Sequence, residues 1–244
     1  MLRKQMSNKG VGQKVHFRWR SEDVSRIEGF SDAVFGFAIT LLIVSLEVPQ
    51  TATELFDIMK GFVMFGACFT LLILIWHSHY TFFRRYGLQD TLTIVLNAAL
   101  LFVVLFYIYP LKFMYTGLFN AMLKLSAEDI GVRADQGPIL MNIYSIGFLL
   151  VFLIYVMLYF HAYRKRDELQ LNEVECFDTL ESIQYHGIYV LISLLSIAIA
   201  SLGSLKYLPW AGMVYALLGP VQGLHGFLMG KRRERLIAAR DLNP

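Results

Sequence analysis

Asp32 is the residue that asks most of its surroundings. It stands in the segment Arg26-Ile27-Glu28-Gly29-Phe30-Ser31-Asp32, at the head of a run to Leu42 in which Thr40 is the one polar side chain. An ionisable group inside an apolar helix is costly and faces protein or water, so it needs a partner, or serves as a proton relay or ion site. Three candidates fall at a similar depth once the apolar runs are read as helices: His77 and His79, beside Trp76 near the end of the second run, and Asn97 near the start of the third. Polar groups at one depth hydrogen-bond across helices. The expected constellation is therefore Arg26, Ser31, Asp32, His77 or His79, and Asn97, locking the first three helices together.

Helical angle separates this constellation from a second feature. At about 100° per residue, Phe37, Leu41 and Val44 lie within about 40° of one line, and Thr40 lies about 60° to one side of Phe37. Asp32 is about 140° from Phe37, so acid and apolar stripe face different ways. That favours a structural role for Asp32 and leaves the stripe free to face a central axis. Taken alone, an apolar stripe at helical spacing reads first as packing. Thr40 can likewise bond to a carbonyl one turn earlier. His77 and His79 sit two residues apart, on different faces, with no third ligand near them in sequence, so no metal site is expected. Cys68 and Cys176 offer no disulfide framework and no metal-ligand spacing. No His-Glu-x-x-His or Gly-x-Ser-x-Gly segment occurs, and neither an enzyme nor a cofactor is expected.

The elements that must position these residues follow from composition. The chain has 244 residues, 56% hydrophobic and 17% charged, with a mean hydropathy of +0.52. A soluble domain carries about 25% charged residues, so the deficit points to lipid as the solvent. Spanning a bilayer takes about 20 mostly apolar residues. Six such stretches are present, at about 26–48, 55–80, 91–115, 138–161, 183–202 and 208–229. They are continuous rather than alternating, which excludes a β-barrel. The expected fold is all-α: a polytopic bundle of six transmembrane helices. Residues 1–25 form a basic cytoplasmic segment, 26–230 the membrane domain and 231–244 a basic cytoplasmic tail. The first 25 residues contain no apolar region of a secretory signal, so the first span is expected to act as an uncleaved insertion signal.

Orientation follows from Lys and Arg. Arg3, Lys4, Lys9, Lys14, Arg18 and Arg20 precede the first span; Arg84-Arg85, Arg164-Lys165-Arg166 and Lys231-Arg232-Arg233 fall on the same side, and the opposite loops hold few basic residues. Both termini are expected in the cytoplasm. The clusters read as topology signals that also attract anionic membrane lipid; no nucleic-acid partner is expected. Trp19, Trp76 and Trp210 read as interface anchors. The segment from about 163 to 184 is expected to extend helices four and five into the cytoplasm, and a short separate helix is expected near 118–125.

The pattern Arg26-x-x-x-Phe30-Ser31-Asp32, followed by Thr40-Leu41-Leu42, resembles the motif of the endosomal and lysosomal potassium channel family and its bacterial relatives. Trp76-x-x-His79, Asn97 and Tyr109-Pro110 also fit that family. The resemblance implies a potassium-preferring cation channel of the bacterial cell membrane, with one six-helix unit per subunit. It further implies a homotetramer with helix one lining the pore, passing potassium ions passively. No Thr-Val-Gly-Tyr-Gly filter is present. Carried over by position, Phe37, Leu41 and Val44 form an apolar constriction and Thr40 a hydroxyl layer. Phe37 departs from the family, where an aliphatic residue is usual, and Gly36 beside it leaves room for the ring to turn. Glu47 and Glu54 are candidates for concentrating cations at the outer mouth. The alternative is a secondary transporter with a substrate site within each subunit. Gly219-Pro220 interrupts the sixth stretch as such a site would require, but no half-to-half symmetry accompanies it.

Overall fold

The computed structural model describes residues 17–21, 23–44, 50–122, 136–203 and 206–241, which form an all-helical bundle with no strand among them. The helices are α1 Arg26–Val44, α2 Ala52–Tyr86, α3 Thr91–Met122, α4 Gly137–Arg164, α5 Glu173–Ala200, α6 Leu208–Met213 and α7 Leu218–Asp241, with one 3-10 turn, Val214–Leu217, between the last two. Four segments are long and apolar enough to cross a membrane: Phe65–Tyr86, Thr91–Phe113, Gly137–Arg164 and Glu173–Ala200. The described part of α1 is 19 residues long, with Arg26, Glu28 and Asp32 in its first two turns.

The helix ends are set by local chemistry. α1 opens with a reciprocal capping box: the Glu28 amide donates to Ser25 Oγ at 3.2 Å and the Ser25 amide to Glu28 Oε1 at 3.3 Å. Asn172 and Glu175 cap α5 in the same way. α2 ends at Gly87, whose φ of +60° lets its amide reach back to the Phe83 carbonyl at 2.8 Å. α4 starts on a proline in its first turn, where the missing N–H costs no hydrogen bond.

One expected boundary differs. The third helix does not stop near 115 to be followed by a separate short helix at 118–125; α3 continues unbroken to Met122, and 123–135 lie outside the described residues. Pro110 sits inside α3. It removes one intrahelical bond, a loss that membrane helices tolerate when neighbours pack around the site. The fifth helix begins at Glu173, ten residues before its apolar stretch, as the expected extension of that helix through the charged segment requires; Asn172 and Glu175 start it.

The buried core is drawn from α1, α2, α3 and α4; α5 packs against it through the partly buried Ile183, Tyr189 and Val190, and α4 against α5 is the most extensive pairing. Tyr155, Leu158, Tyr159 and Ala162 of α4 are fully buried against Phe82, Phe83 and Tyr86 of α2. Phe82 meets Tyr159 edge-on with ring centroids 5.3 Å apart. Tyr107 of α3 donates to the Tyr144 carbonyl of α4 at 3.0 Å. Its ring occupies the space a Cβ at Gly147 would need, so the glycine permits close approach of the two helices.

Candidate pore helix and its polar support

α1 has two unlike faces. Glu28, Ser31, Phe35, Ala38 and Leu42 are buried, and their spacing of three and four residues is that of one helical stripe. This face packs on α2 and α3. On the far side Phe30 is 65% exposed and Phe37 57% exposed, with Asp32, Ala33, Gly36 and Thr40 exposed beside them. The bundle of one subunit thus covers one half of α1 and leaves the other uncovered.

Asn97 is the hub of the buried face. Its Nδ2 donates to Ser31 Oγ at 2.9 Å, and its Oδ1 accepts from His79 Nε2 at 2.9 Å. Ser31 Oγ passes its own proton to the Ile27 carbonyl at 2.8 Å. The amide oxygen can only accept, so His79 carries its proton on Nε2. All three side chains are buried, and they join one residue each from α1, α2 and α3. Phe35 and Phe83 flank the imidazole, with ring centroids 5.7 and 4.6 Å away. Tyr155 of α4 donates to the Ile75 carbonyl of α2 one turn above, tying the fourth helix to the same level.

The other residues of the expected constellation lie elsewhere. Asp32 is exposed and accepts a 2.7 Å hydrogen bond from Trp76 Nε1. It does not meet Asn97 or either histidine. The reason is angular: Asp32 is about 100° around α1 from Ser31, so when Ser31 points at Asn97 the acid points past the hub. His77, two residues before His79, is exposed and stacks on Tyr80 at 6.5 Å. Trp76 also stacks on Tyr80, at 5.8 Å. Arg26 is exposed and joins neither set. The buried Ser31–Asn97–His79 chain therefore joins α1, α2 and α3, and the outer Asp32–Trp76 bond links α1 to α2 a second time.

On the stripe, Thr40 donates its hydroxyl proton to the Phe37 carbonyl at 2.7 Å. The oxygen is left facing outward as an acceptor, the form that suits a cation. Leu41 is half-buried. The side chain of Val44, and the expected outer-mouth acids Glu47 and the side chain of Glu54, lie outside the described residues.

Sequence reasoning passed over Glu28, which is 5% exposed. It accepts from Ser25 Oγ at 3.0 Å and from Ser21 Oγ at 3.3 Å, and Arg84 Nε lies 3.9 Å from its carboxylate. The signal was present as Ser25-x-x-Glu28, a helix-start pattern.

Residues 26–110 match the family described as endosomal/lysosomal potassium channel TMEM175. A protein of Marivirga tractuosa named potassium channel is 37% identical over 238 residues, covering 93% of this chain and 96% of its own length. A crystal structure of a variant of the potassium channel MtTMEM175, bound to a nanobody fusion, superposes with a TM-score of 0.82 at 36% identity, covering 91% of this chain and all of that one. A lysosomal potassium-selective channel TMEM175 homologue from Chamaesiphon minutus shares the fold, with a TM-score of 0.55 at 21% identity over 87% of this chain and 99% of that one. With likeness of this extent in sequence and in backbone, the chain belongs to the TMEM175 potassium channel family.

Proposed function

We propose that this chain is the subunit of a potassium-preferring channel, with six spans per subunit and four copies arranged so that the uncovered face of α1 lines a shared axis. Closed assemblies of identical subunits place such an axis at their centre. The observation that carries the reading is the division of α1: one face locked to α2 and α3 through Asn97, the opposite face bare, with Phe37 and Thr40 on it. Four Phe37 side chains, with Leu41 and Val44 above them, form stacked apolar rings. Water leaves so narrow an apolar passage readily, and the pore closes by dewetting. Thr40 supplies hydroxyl oxygens between those rings, each with its proton already committed to the Phe37 carbonyl. They replace part of the water shell of a passing potassium ion.

The six spans are the four apolar helices, α1, and the final stretch made of α6, the 3-10 turn and α7. Both termini lie in the cytoplasm, as the Lys and Arg distribution requires, and the membrane is that of a bacterial cell. Conduction is passive and needs no cofactor. Asp32 and Trp76 fasten the rim of α1 rather than bind the ion.

The test is ion flux into liposomes holding the purified protein, with potassium and sodium gradients compared for the natural chain and Phe37→Ala. Potassium-preferring flux that Phe37→Ala raises or makes less selective supports the constriction on α1. Absence of passive flux from intact oligomers of either protein would overturn the pore.

A further inference from the structure

Residues 17–21 run into the start of α1, and they are held in a way their place in a basic leader segment does not require. Phe17 is 2% exposed. Its ring meets Tyr86 edge-on at 5.7 Å, with the Arg85 guanidinium 4.9 Å from its centroid. Arg20 uses every donor it has. Nε donates to the Leu169 carbonyl at 2.7 Å; Nη1 donates to the Arg18 carbonyl at 3.0 Å and to Glu175 Oε1 at 3.2 Å. Nη2 donates to the Gln170 carbonyl at 3.2 Å and to Glu175 Oε2 at 2.7 Å. The side chains of Arg20 and Glu175 are 9% and 2% exposed. The Arg18 amide adds a further bond to Glu175 Oε1 at 2.8 Å.

The turn between α4 and α5 is shaped to receive this guanidinium. Gln170, one of its two carbonyl acceptors there, has a φ of +50°, a conformation L residues seldom adopt. On the other side, the Arg20 and Ser21 amides donate to the Arg84 carbonyl at 3.2 and 3.5 Å, and Arg84 Nη1 returns a bond to the Ser21 carbonyl at 3.3 Å. Gly87, at the end of α2, is where the Arg20 backbone passes: a Cβ there would stand 3.4 Å from the Arg20 carbonyl oxygen. The chain of bonds then continues from Ser21 Oγ to Glu28, inside the first turn of α1. One turn along α5 from Glu175, the fully buried Asp178 accepts from Arg233 Nε of α7 at 2.8 Å, bringing the C-terminal helix to the same collar.

An arginine that serves only as a topology signal stays hydrated and needs no fixed partner. A guanidinium with five acceptors and a bidentate carboxylate fixes geometry as well as charge. We propose that Arg20 is a positioning residue of the conduction pathway. Its clasp on Glu175 and on the α4–α5 turn sets where α1 starts, and so sets the balance between conducting and closed arrangements of the constriction that begins about three turns along the same helix. The inference rests on the reading of α1 as the pore-lining helix. Arg20 and Glu175 touch no residue of the stripe, so the clasp acts on the position of the constriction and leaves its chemistry alone.

The experiment is single-channel recording in planar bilayers of the full chain, its Arg20→Ala and Glu175→Gln variants and the double variant, with oligomer size in detergent checked for each. Unitary potassium conductance and the potassium-to-sodium permeability ratio are expected to stay as in the natural chain. Open probability is expected to change by about threefold or more in both single variants, in the same direction, and the double variant is expected to change no more than the larger single. Intact oligomers with unaltered open probability in both singles would overturn the proposal and leave the clasp a structural feature. Altered conductance or selectivity would also overturn it, because the clasp would then shape the ion path itself. Arg20→Lys keeps the charge and loses the fork, and serves where the larger changes prevent assembly: an open probability shifted in the same sense supports the clasp, and natural gating by Arg20→Lys overturns the need for it. Phe37→Ala, recorded alongside, separates the two readings. If it leaves conductance unchanged, the pore assignment of α1 fails, whatever the clasp variants do.

Discussion

α1 and α4 are both apolar helices of similar pitch and chemistry, yet they are held by opposite means. α4 is buried along much of its length, in contact with α3 and α5 and packed through aromatic side chains such as Phe152, Tyr155 and Tyr159. α1 buries one stripe, against α2 and α3, and depends on a few directed polar bonds: Ser31 to Asn97, Asp32 to Trp76, and the capping and clasp contacts at its start. Apolar packing is cheap to shift by small amounts and expensive to lose. A hydrogen-bonded hub defines one arrangement sharply and contributes less in total. The scaffold is built for stability and α1 for placement.

The comparison breaks most visibly at Tyr155. The side chain is fully buried, packs between Phe152 and His186 and donates to the Ile75 carbonyl. Tyr155→Ala leaves a cavity and removes the second donor to the Ile75 carbonyl, and truncation of a large buried aromatic costs about 3–5 kcal/mol. Thermal unfolding in detergent is expected to fall by many degrees, with little protein recovered as an oligomer. A shift no larger than that of a surface substitution would deny α4 its place as the scaffold.

Asn97→Ala is the corresponding break in the support of α1. It removes the bonds to Ser31 and His79 together and leaves His79 buried without its partner. Interhelical hydrogen bonds in membranes contribute about 0.6 kcal/mol on average and up to about 1.7, so the loss of both is expected to cost about 1–2 kcal/mol in the same unfolding assay. The larger consequence is expected in function, as altered gating of protein that still assembles. Unfolding as severe as that of Tyr155→Ala would mean that α1 shares the scaffold's mode of support.

How much of this arrangement could be read from the sequence depends on the range of each interaction. The apolar runs of α2, α3 and α4, and the extension of α5 beyond the membrane, follow from composition and patterning local to each helix. The hub of Ser31, Asn97 and a histidine follows from equal depth, because a buried amide needs partners. Depth alone does not choose between His77 and His79, since that depends on the rotation of α2. It also could not show that Asp32 turns to the indole of Trp76, which read as an interface anchor although it belongs to the motif. The clasp was out of reach for a different reason. Arg20 and Glu175 are 155 residues apart, and the basic residues before α1 are sufficiently explained by topology. Pro110 did not hide the third helix: the apolar run continues on both sides of it, and the expected span and α3 both run through it.

A smaller effect tests the rim at the turn between α2 and α3, where both kinds of support are thin. Asp90, in the turn before α3, accepts from Thr93 and meets His161 Nε2 of α4 at 2.8 Å. Partial burial pushes its pKa up, but the hydrogen bonds from Thr93 and His161 and the charges of His161 and Lys165 outweigh it and hold the carboxyl below the usual range. A carboxylate depressed in the folded state stabilises above its unfolded pKa, and that contribution fades as pH falls through the folded value. Stability of the natural chain is therefore expected to decline on acidification below the ordinary carboxylate range, and Asp90→Asn to flatten that decline by less than about 1 kcal/mol, as befits a partly exposed pair. An unchanged acid slope in Asp90→Asn would place the acid sensitivity on other carboxylates.

The smallest effect on stability is expected at Phe37, and it sharpens the comparison most. The ring is 57% exposed on the bare face of α1, so the subunit gains little from it in packing. Substitutions at such positions change stability by about 0.5 kcal/mol or less. Phe37→Ala is therefore expected to leave unfolding of the subunit bundle close to that of the natural chain, while changing potassium flux. Phe102 and Phe106 of α3 are more exposed still, as lipid-facing side chains are, so it is the effect on flux that assigns the Phe37 ring to a shared axis. If Phe37→Ala instead destabilises the bundle as Asn97→Ala does, the ring packs within the subunit, and the bare face of α1 is not the face that lines the pore.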